Sequence, residues 1–465
     1  MSRETKRRAK RLIVLLALAA LCVLAMLVVR ARDTKRLTAA LDPIAPDAAR
    51  DFMRASLVYD AGTRTFRGTQ TLRATNRTGE DLEEAVFRLM MNGADEESVS
   101  ITNVTVNGES VRAQTDEEDP TVVRIPVSWA SGATVELAWT LMIRHAKEST
   151  SSLITLPQMA VWEEGDWRTD AYDALCDAPF AQAFDYALSV NAADASPLVF
   201  GGALTDARWE TGVGETLYEV QMQGARDMTF AVGQSQSVLC REVGGVLVSA
   251  QATSVGRARS LLDAVQTAFD SLEAIGLAYP FPTLSLVEAD SGHSDGQVGS
   301  GLVALPLTGG GEALCQRVTR LVVRQTFGVL VGNDPYNAPW LSTSLASAAE
   351  LLAYAQRKGE RALTTRLEEE IAMADRVTRP YGVTVGATLA HFGGDAERTQ
   401  VLRDQGGGML LGIAQAAGEE AFLDALRLYA QENAGEIASL ADFERVLLTA
   451  TGSAWDGYLE DELAY

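Results

Sequence analysis

The feature that most constrains this chain is an unbroken apolar run of 18 residues from Leu12 to Val29. As a helix it would rise about 27 Å, close to the hydrocarbon thickness of a bilayer. Arg3, Lys6, Arg7, Arg8, Lys10 and Arg11 precede it, and Arg30, Arg32, Lys35 and Arg36 follow. The denser basic cluster is N-terminal, so the positive-inside rule predicts a cytoplasmic segment 1–11, a transmembrane helix 12–29 and an extracytoplasmic body. The expected localisation is therefore a single-pass cell-membrane protein. A cleaved signal peptide is the alternative. It is disfavoured because the run exceeds a usual apolar signal region and Val29-Arg30-Ala31 is a poor cleavage site. Residues 30–50, with Pro43 and Pro46, read as a linker.

Charge narrows the function classes. The net charge is −22, yet residues 1–36 hold ten Lys/Arg against two Asp/Glu. The remaining chain has 40 − 10 = 30 basic and 62 − 2 = 60 acidic residues. A body this acidic repels phosphate backbones, which argues against a nucleic-acid partner. Cys22, Cys176, Cys240 and Cys315 are far apart and do not suggest a disulfide framework.

Within 51–234, short runs of alternating polarity predict strands, among them Ser56–Tyr59, Thr65–Thr75, Glu84–Met91 and Thr134–Ile143. Turn signals such as Asn107-Gly108 separate them. The expected module is antiparallel, with two packed sheets. From 235 to 465 the pattern turns helical. Leu261, Leu262, Val265, Phe269 and Leu272 share one face, and helices are predicted over Ala313–Val331 and Thr343–Tyr354. The fold class is thus α+β: a transmembrane helix, a β-sandwich or saddle, then an α-rich domain.

Five segments stand in a telling order: "LPQMAVWEEGDWRTDAYDALCDAPFAQAFDYALSV", "FAVGQ", "YPFPTLSLVEAD", "RLVVRQTFGVLVGNDPYNAPWLSTSLA" and "AAGEEAFLDALRLYAQENAGEIASLADFERVL". Together they resemble the aminopeptidase N family of zinc metallopeptidases over roughly residues 50 to 460. The resemblance implies an N-terminal β domain and a thermolysin-like second domain. It also implies zinc held by a His-Glu-x-x-His helix and a later glutamate.

On that alignment Arg320 and Arg324 stand at the histidines, Leu321 at the general-base glutamate and Thr343 at the third ligand. Val298 falls at the glutamate that binds a substrate amino terminus, and Arg403 at the tyrosine that stabilises the tetrahedral intermediate. A guanidinium has no lone pair to give a metal, and leucine cannot accept a proton. The chain has only His145, His293 and His391, and no His-Glu-x-x-His. The expectation is a membrane-anchored pseudopeptidase without zinc, acting as a binding or scaffolding module for a peptide or a membrane-protein partner. The alternative is an active zinc aminopeptidase with an atypical site.

Arg317, Arg320 and Arg324 recur at helical spacing, so an arginine cluster with Arg403 is expected in the former cleft. It would suit a carboxylate such as a peptide C-terminus, or be neutralised internally. Glu350, seven residues past Thr343, is the expected internal partner, and the internal pair is the favoured reading. Asp290, His293 and Asp295 form a weaker candidate metal loop. Asn76 and Asn103 head glycosylation-type triplets, and Trp162, Trp167, Tyr172, Phe180 and Phe184 read as packing residues.

Overall fold

The structure is a computed structural model of the 465-residue chain. It describes residues 20–21, 50–145, 153–193, 198–210, 215–233, 238–289, 292–374, 383–452, 459 and 463. The segments 1–11, 12–29 and 30–50 therefore lie outside the described residues, except for Ala20, Leu21 and Arg50. The division at 234/235 falls in the undescribed stretch 234–237.

Alternation of buried and exposed side chains builds the first module. Along Phe52–Asp60, Met53, Ala55, Leu57 and Tyr59 are buried while their neighbours face water. This strand lies between Thr65–Thr75 and Phe184–Ala193 in an eight-stranded sheet. The expected antiparallel order has one exception: Phe52–Asp60 and Phe184–Ala193 run parallel. A four-stranded sheet containing Leu82–Arg88 and Val122–Trp129 packs against the larger one. Phe87 meets Trp139 across the interface edge to face, with ring centroids 4.9 Å apart.

The second module has a five-stranded mixed sheet in the order Val238–Val243, Val246–Gln251, Thr283–Glu288, Leu302–Leu305, Gln297–Gly299. The described helices beside it are α1 (Val255–Ala274), α2 (Glu312–Val323), α3 (Trp340–Lys358) and α4 (Glu360–Ala374), then α5 (Asp395–Thr399). A π-helical stretch Gln400–Gln405 leads into α6 (Gly406–Ala417), followed by α7 (Glu419–Glu432) and α8 (Leu440–Thr451). Ser254 caps α1 by accepting from the Arg257 N–H, and Leu261, Leu262, Val265 and Leu272 are buried.

Two expectations need correction. The helix predicted over Ala313–Val331 stops at Val323. Beyond it the buried Gln325 side chain accepts from the Gly301 N–H and donates to the Gly299 carbonyl. Those bonds tie the chain to the sheet instead of continuing the helix.

The transmembrane helix over 12–29, with the single-pass localisation drawn from it, is not supported. Among the described residues no helix is long and apolar enough to cross a membrane. A span needs about 20 consecutive apolar helical residues. The longest described helix, α1, has 20 residues but carries Arg257, Arg259, Asp263, Asp270 and Glu273. Of 12–29 only Ala20 and Leu21 are described, both helical.

One wholly buried side chain reaches from the first module into the second. Arg226 is fully buried and donates to four carbonyls: Ala181 (2.8 Å), Val329 (2.7 Å), Leu330 (3.2 Å) and Glu436 (2.5 Å). Gly332 makes room for it, since a Cβ there would lie 2.3 Å from Arg226 Cζ.

Candidate functional site

The final turn of α2 carries the residues at the expected zinc positions. Leu314, Val318, Leu321 and Val322 are buried, while Arg317 and Arg320 reach the loop that follows Thr283–Glu288. There Asp295 takes Arg320 in a two-pronged pair, Nε at 3.0 Å and Nη2 at 2.5 Å. Arg403 Nη1 lies 3.5 Å and Arg317 Nε 3.8 Å from the same carboxylate. Burial acts to raise the Asp295 carboxyl, but Arg320, Arg403 and Arg317 outweigh it and hold it far below the usual range.

Arg324 caps the end of α2 and is held separately. Its two Nη atoms lie 2.9 and 2.7 Å from Asp177, which comes from the irregular stretch of the first module between Asp166–Trp167 and Phe184–Ala193. Arg398 on α5 adds a second guanidinium 2.8 Å from Asp177 and reaches Asp395 at 3.1 Å. Asp177 is therefore held ionised well below its ordinary value, although burial works the other way. Its backbone has a further role: the Asp177 carbonyl accepts the Val298 N–H at 3.3 Å. The edge of strand Gln297–Gly299 is thus met by the chain's own segment at Val298, which the resemblance aligns with the family's amino-terminus-binding glutamate.

Glu350 on α3 is buried and makes its shortest contacts with Arg366 of α4, at 2.9 and 2.7 Å. Arg320 stands 3.6 Å from it. Tyr354 lies beneath Arg366, with the guanidinium carbon 4.9 Å from its ring centre. Arg403 projects from the π-helical stretch, pairs with Asp404 at 2.6 and 3.0 Å, and is the most exposed of the cluster. Ser344 Oγ donates to the Leu402 carbonyl at 2.7 Å, which fastens that stretch to α3.

The structure thus brings Arg317, Arg320, Arg403 and Glu350 around one lattice and Arg324 into its neighbour. Leu321 is fully buried, with its Cδ1 packed near Gly296. Gly296 has φ +112°, and a Cβ there would crowd both Leu321 and the Ala304 carbonyl. Val298 is buried in its strand and Thr343 is half-buried on α3. These side chains do not fit a zinc ion, because the two arginines already engage carboxylates and Thr343 is a weak neutral donor. Among the described residues no three His, Cys, Asp or Glu side chains stand close enough to share a metal.

The candidate metal loop is used otherwise. Asp295 is taken by Arg320, His293 Nδ1 lies 3.5 Å from Asp395, and Asp290 is outside the described residues. Cys176 and Cys315 are free thiols, and burial pushes the Cys176 thiol up to about 12. Asn76 is buried and its amide donates to the Glu80 and Trp129 carbonyls, whereas Asn103 is exposed. Trp167, Phe184 and Phe180 pack in the core or between modules. The Arg168 guanidinium carbon lies 5.1 Å from the Phe180 ring centre.

Sequence reasoning missed Asp177, Asp395, Arg398 and Arg366 as lattice members. Asp177 was visible only inside "ALCDAPFAQ", 147 positions from Arg324, and nothing local marks it as a counterion. No protein-family model matches the chain, and no curated protein matches it.

Proposed function

We propose that this chain is a non-catalytic member of the aminopeptidase N group: a pseudopeptidase serving as a binding or scaffolding module, without zinc. One observation carries the reading. Each arginine standing at an expected histidine is gripped two-pronged by a carboxylate of the same chain, Arg320 by Asp295 and Arg324 by Asp177. A peptidase cleft needs electron-pair donors for a metal, a base to activate water and an open strand edge for substrate. Here the donors are replaced by cations, Leu321 stands at the base position, and Val298 already donates to Asp177.

Internal neutralisation also argues against a carboxylate ligand in the former cleft. Around Arg317, Arg320, Arg324, Arg366, Arg398 and Arg403 stand Asp177, Asp295, Glu350, Asp395 and Asp404. An incoming peptide carboxylate would have to displace a better-placed internal one.

The deciding experiment is elemental analysis of the purified full chain with hydrolysis of aminoacyl amides, with and without chelator. Absence of stoichiometric zinc and of turnover is expected. Stoichiometric zinc with chelator-sensitive turnover would overturn the proposal in favour of an active peptidase with an atypical site. Titration with an acidic peptide is expected to give no saturable binding, and Arg320→Ala is expected not to change that.

A further inference from the structure

The chain holds two Asn-Gly pairs, Asn92-Gly93 and Asn107-Gly108. Such a pair can close on itself. The glycine backbone nitrogen attacks the asparagine side-chain carbonyl carbon, and the missing glycine Cβ leaves that approach open. The fold treats the two pairs in opposite ways.

We infer that Asn107 is a site of spontaneous deamidation in the folded protein and that Asn92 is not. Asn107 and Gly108 form the turn between strands Val99–Val106 and Glu109–Ser110, with φ of +50° and +85°. Two positive φ values in a two-residue loop are the pattern of a type I′ hairpin. Both residues are exposed, and a Cβ on Gly108 would meet nothing within 4 Å. Among the described residues the Gly108 N–H makes no hydrogen bond, so solvent base can take its proton. The Asn107 side-chain oxygen accepts the Glu136 N–H at 2.9 Å. That bond strengthens as the oxygen gains charge in the tetrahedral intermediate. The Asn107 side-chain nitrogen has no acceptor among the described residues and is free to leave.

The bonds exchanged are few. Gly108 N bonds to Asn107 Cγ, the Cγ–Nδ2 bond breaks, and the nitrogen departs as ammonia with the proton that Gly108 gives up. Water then opens the cyclic imide at either carbonyl, giving aspartate or isoaspartate. No oxidant, metal or enzyme is required.

Asn92 shows what the fold prevents. It is 4% exposed, its nitrogen donates to the Val99 and Pro120 carbonyls at 3.0 and 3.2 Å, and its oxygen accepts the Val99 N–H at 2.7 Å. The Tyr172 ring covers Gly93, where a Cβ would lie 2.0 Å from it. Both carbonyl oxygens thus have a donor, so the difference lies elsewhere. At Asn92 the leaving nitrogen is tied to two acceptors, and turning the side chain toward Gly93 would strand those buried groups.

Conversion at Asn107 has a local consequence. Isoaspartate adds a carbon to the main chain of a two-residue turn, which disturbs the pairing of Val106 with Glu109 and Thr105 with Ser110. Aspartate instead places a new carboxylate beside the exposed Glu109.

The test is incubation of the full chain at mildly alkaline pH, folded and in denaturant, followed by peptide mass mapping. In the folded protein the peptide carrying Asn107 is expected to gain about one dalton as the amide becomes a carboxyl, faster at higher pH, while the Asn92 peptide keeps its mass. In denaturant both peptides should convert at similar rates, because the protection belongs to the fold. Asn107→Gln, which would have to close a larger ring, is expected to abolish the gain at that position. A folded protein in which Asn107 keeps its mass, or in which Asn92 converts as fast as Asn107, would overturn the inference.

Discussion

Arg324 and Asp177, 147 positions apart, pair through two contacts of 2.9 and 2.7 Å with both side chains almost wholly withdrawn from water. Such a pair contributes little net stability when complete and costs much when broken, because the surviving charge is left buried. Asp177→Ala strands Arg324 and takes one of two carboxylates from Arg398. Denaturant unfolding at neutral pH is expected to show a loss of about 3–5 kcal/mol. A loss below about 1 kcal/mol would mean that the arginines find water or other partners.

Acid is expected to act in two stages. His145 is buried, and burial followed by the nearby Arg64 charge brings its pKa from 6.5 to about 4. Between those values the unfolded chain binds a proton that the folded chain refuses, so stability falls as pH drops through that window. Asp177, Asp295 and Asp395 have carboxyls held below their ordinary value. Their contribution is present above the unfolded carboxylate value of about 3.9 and is lost as pH falls further toward the folded values. Unfolding free energies measured across pH should show both slopes. His145→Gln should flatten the upper one and leave the lower intact; an unchanged upper slope would assign it elsewhere.

What the chain betrays locally and what it hides follow from the range of the forces involved. Alternation along Thr65–Thr75 sets a strand over those same residues, and the apolar face of Arg257–Gly276 sets α1, because both patterns repeat within one element. The end of α2 at Val323 was hidden, since it depends on Gln325 reaching Gly299 and Gly301 across the sheet. The arginine spacing announced a cluster, but not which acids meet it. Glu350 was found because it lies on a neighbouring helix. Asp177 and Asp295 come from loops whose approach only the tertiary fold decides. The apolar run Leu12–Val29 reads as a span by composition alone, and no described helix bears that out.

Asn76 illustrates how a surface-type motif can be a structural knot. Its amide donates to Glu80 and Trp129 carbonyls at 2.7 and 2.8 Å, while its Oδ1 accepts from the Thr78 N–H and hydroxyl at 3.0 and 2.7 Å. Asn76→Ala leaves two carbonyls, and the N–H and hydroxyl of Thr78, without their partner, so a loss of about 1–3 kcal/mol is expected in thermal or denaturant unfolding. Asn103→Ala is the matched comparison. Asn103 is exposed at φ +52° with one side-chain bond to Thr140, so its loss should be smaller.

Arg226 offers the sharpest test of how the modules are joined. Among the described residues no carboxylate forms an ion pair with it; burial lowers its pKa to about 10, and four carbonyls from three separate segments do the solvating. Arg226→Met removes the donors and leaves those carbonyls facing a thioether, which should cost about 3 kcal/mol or more. The approach is confined on the other side by Gly332, so Gly332→Ala should press a methyl group against the guanidinium and cost about 1–3 kcal/mol without deleting any donor. Limited proteolysis separates this account from general loosening of the core. If Arg226 joins the modules, cleavage in both variants should rise first at 179–183 and 434–438, where its partners Ala181 and Glu436 lie. Uniform acceleration of cleavage across both modules would instead make Arg226 an ordinary core residue.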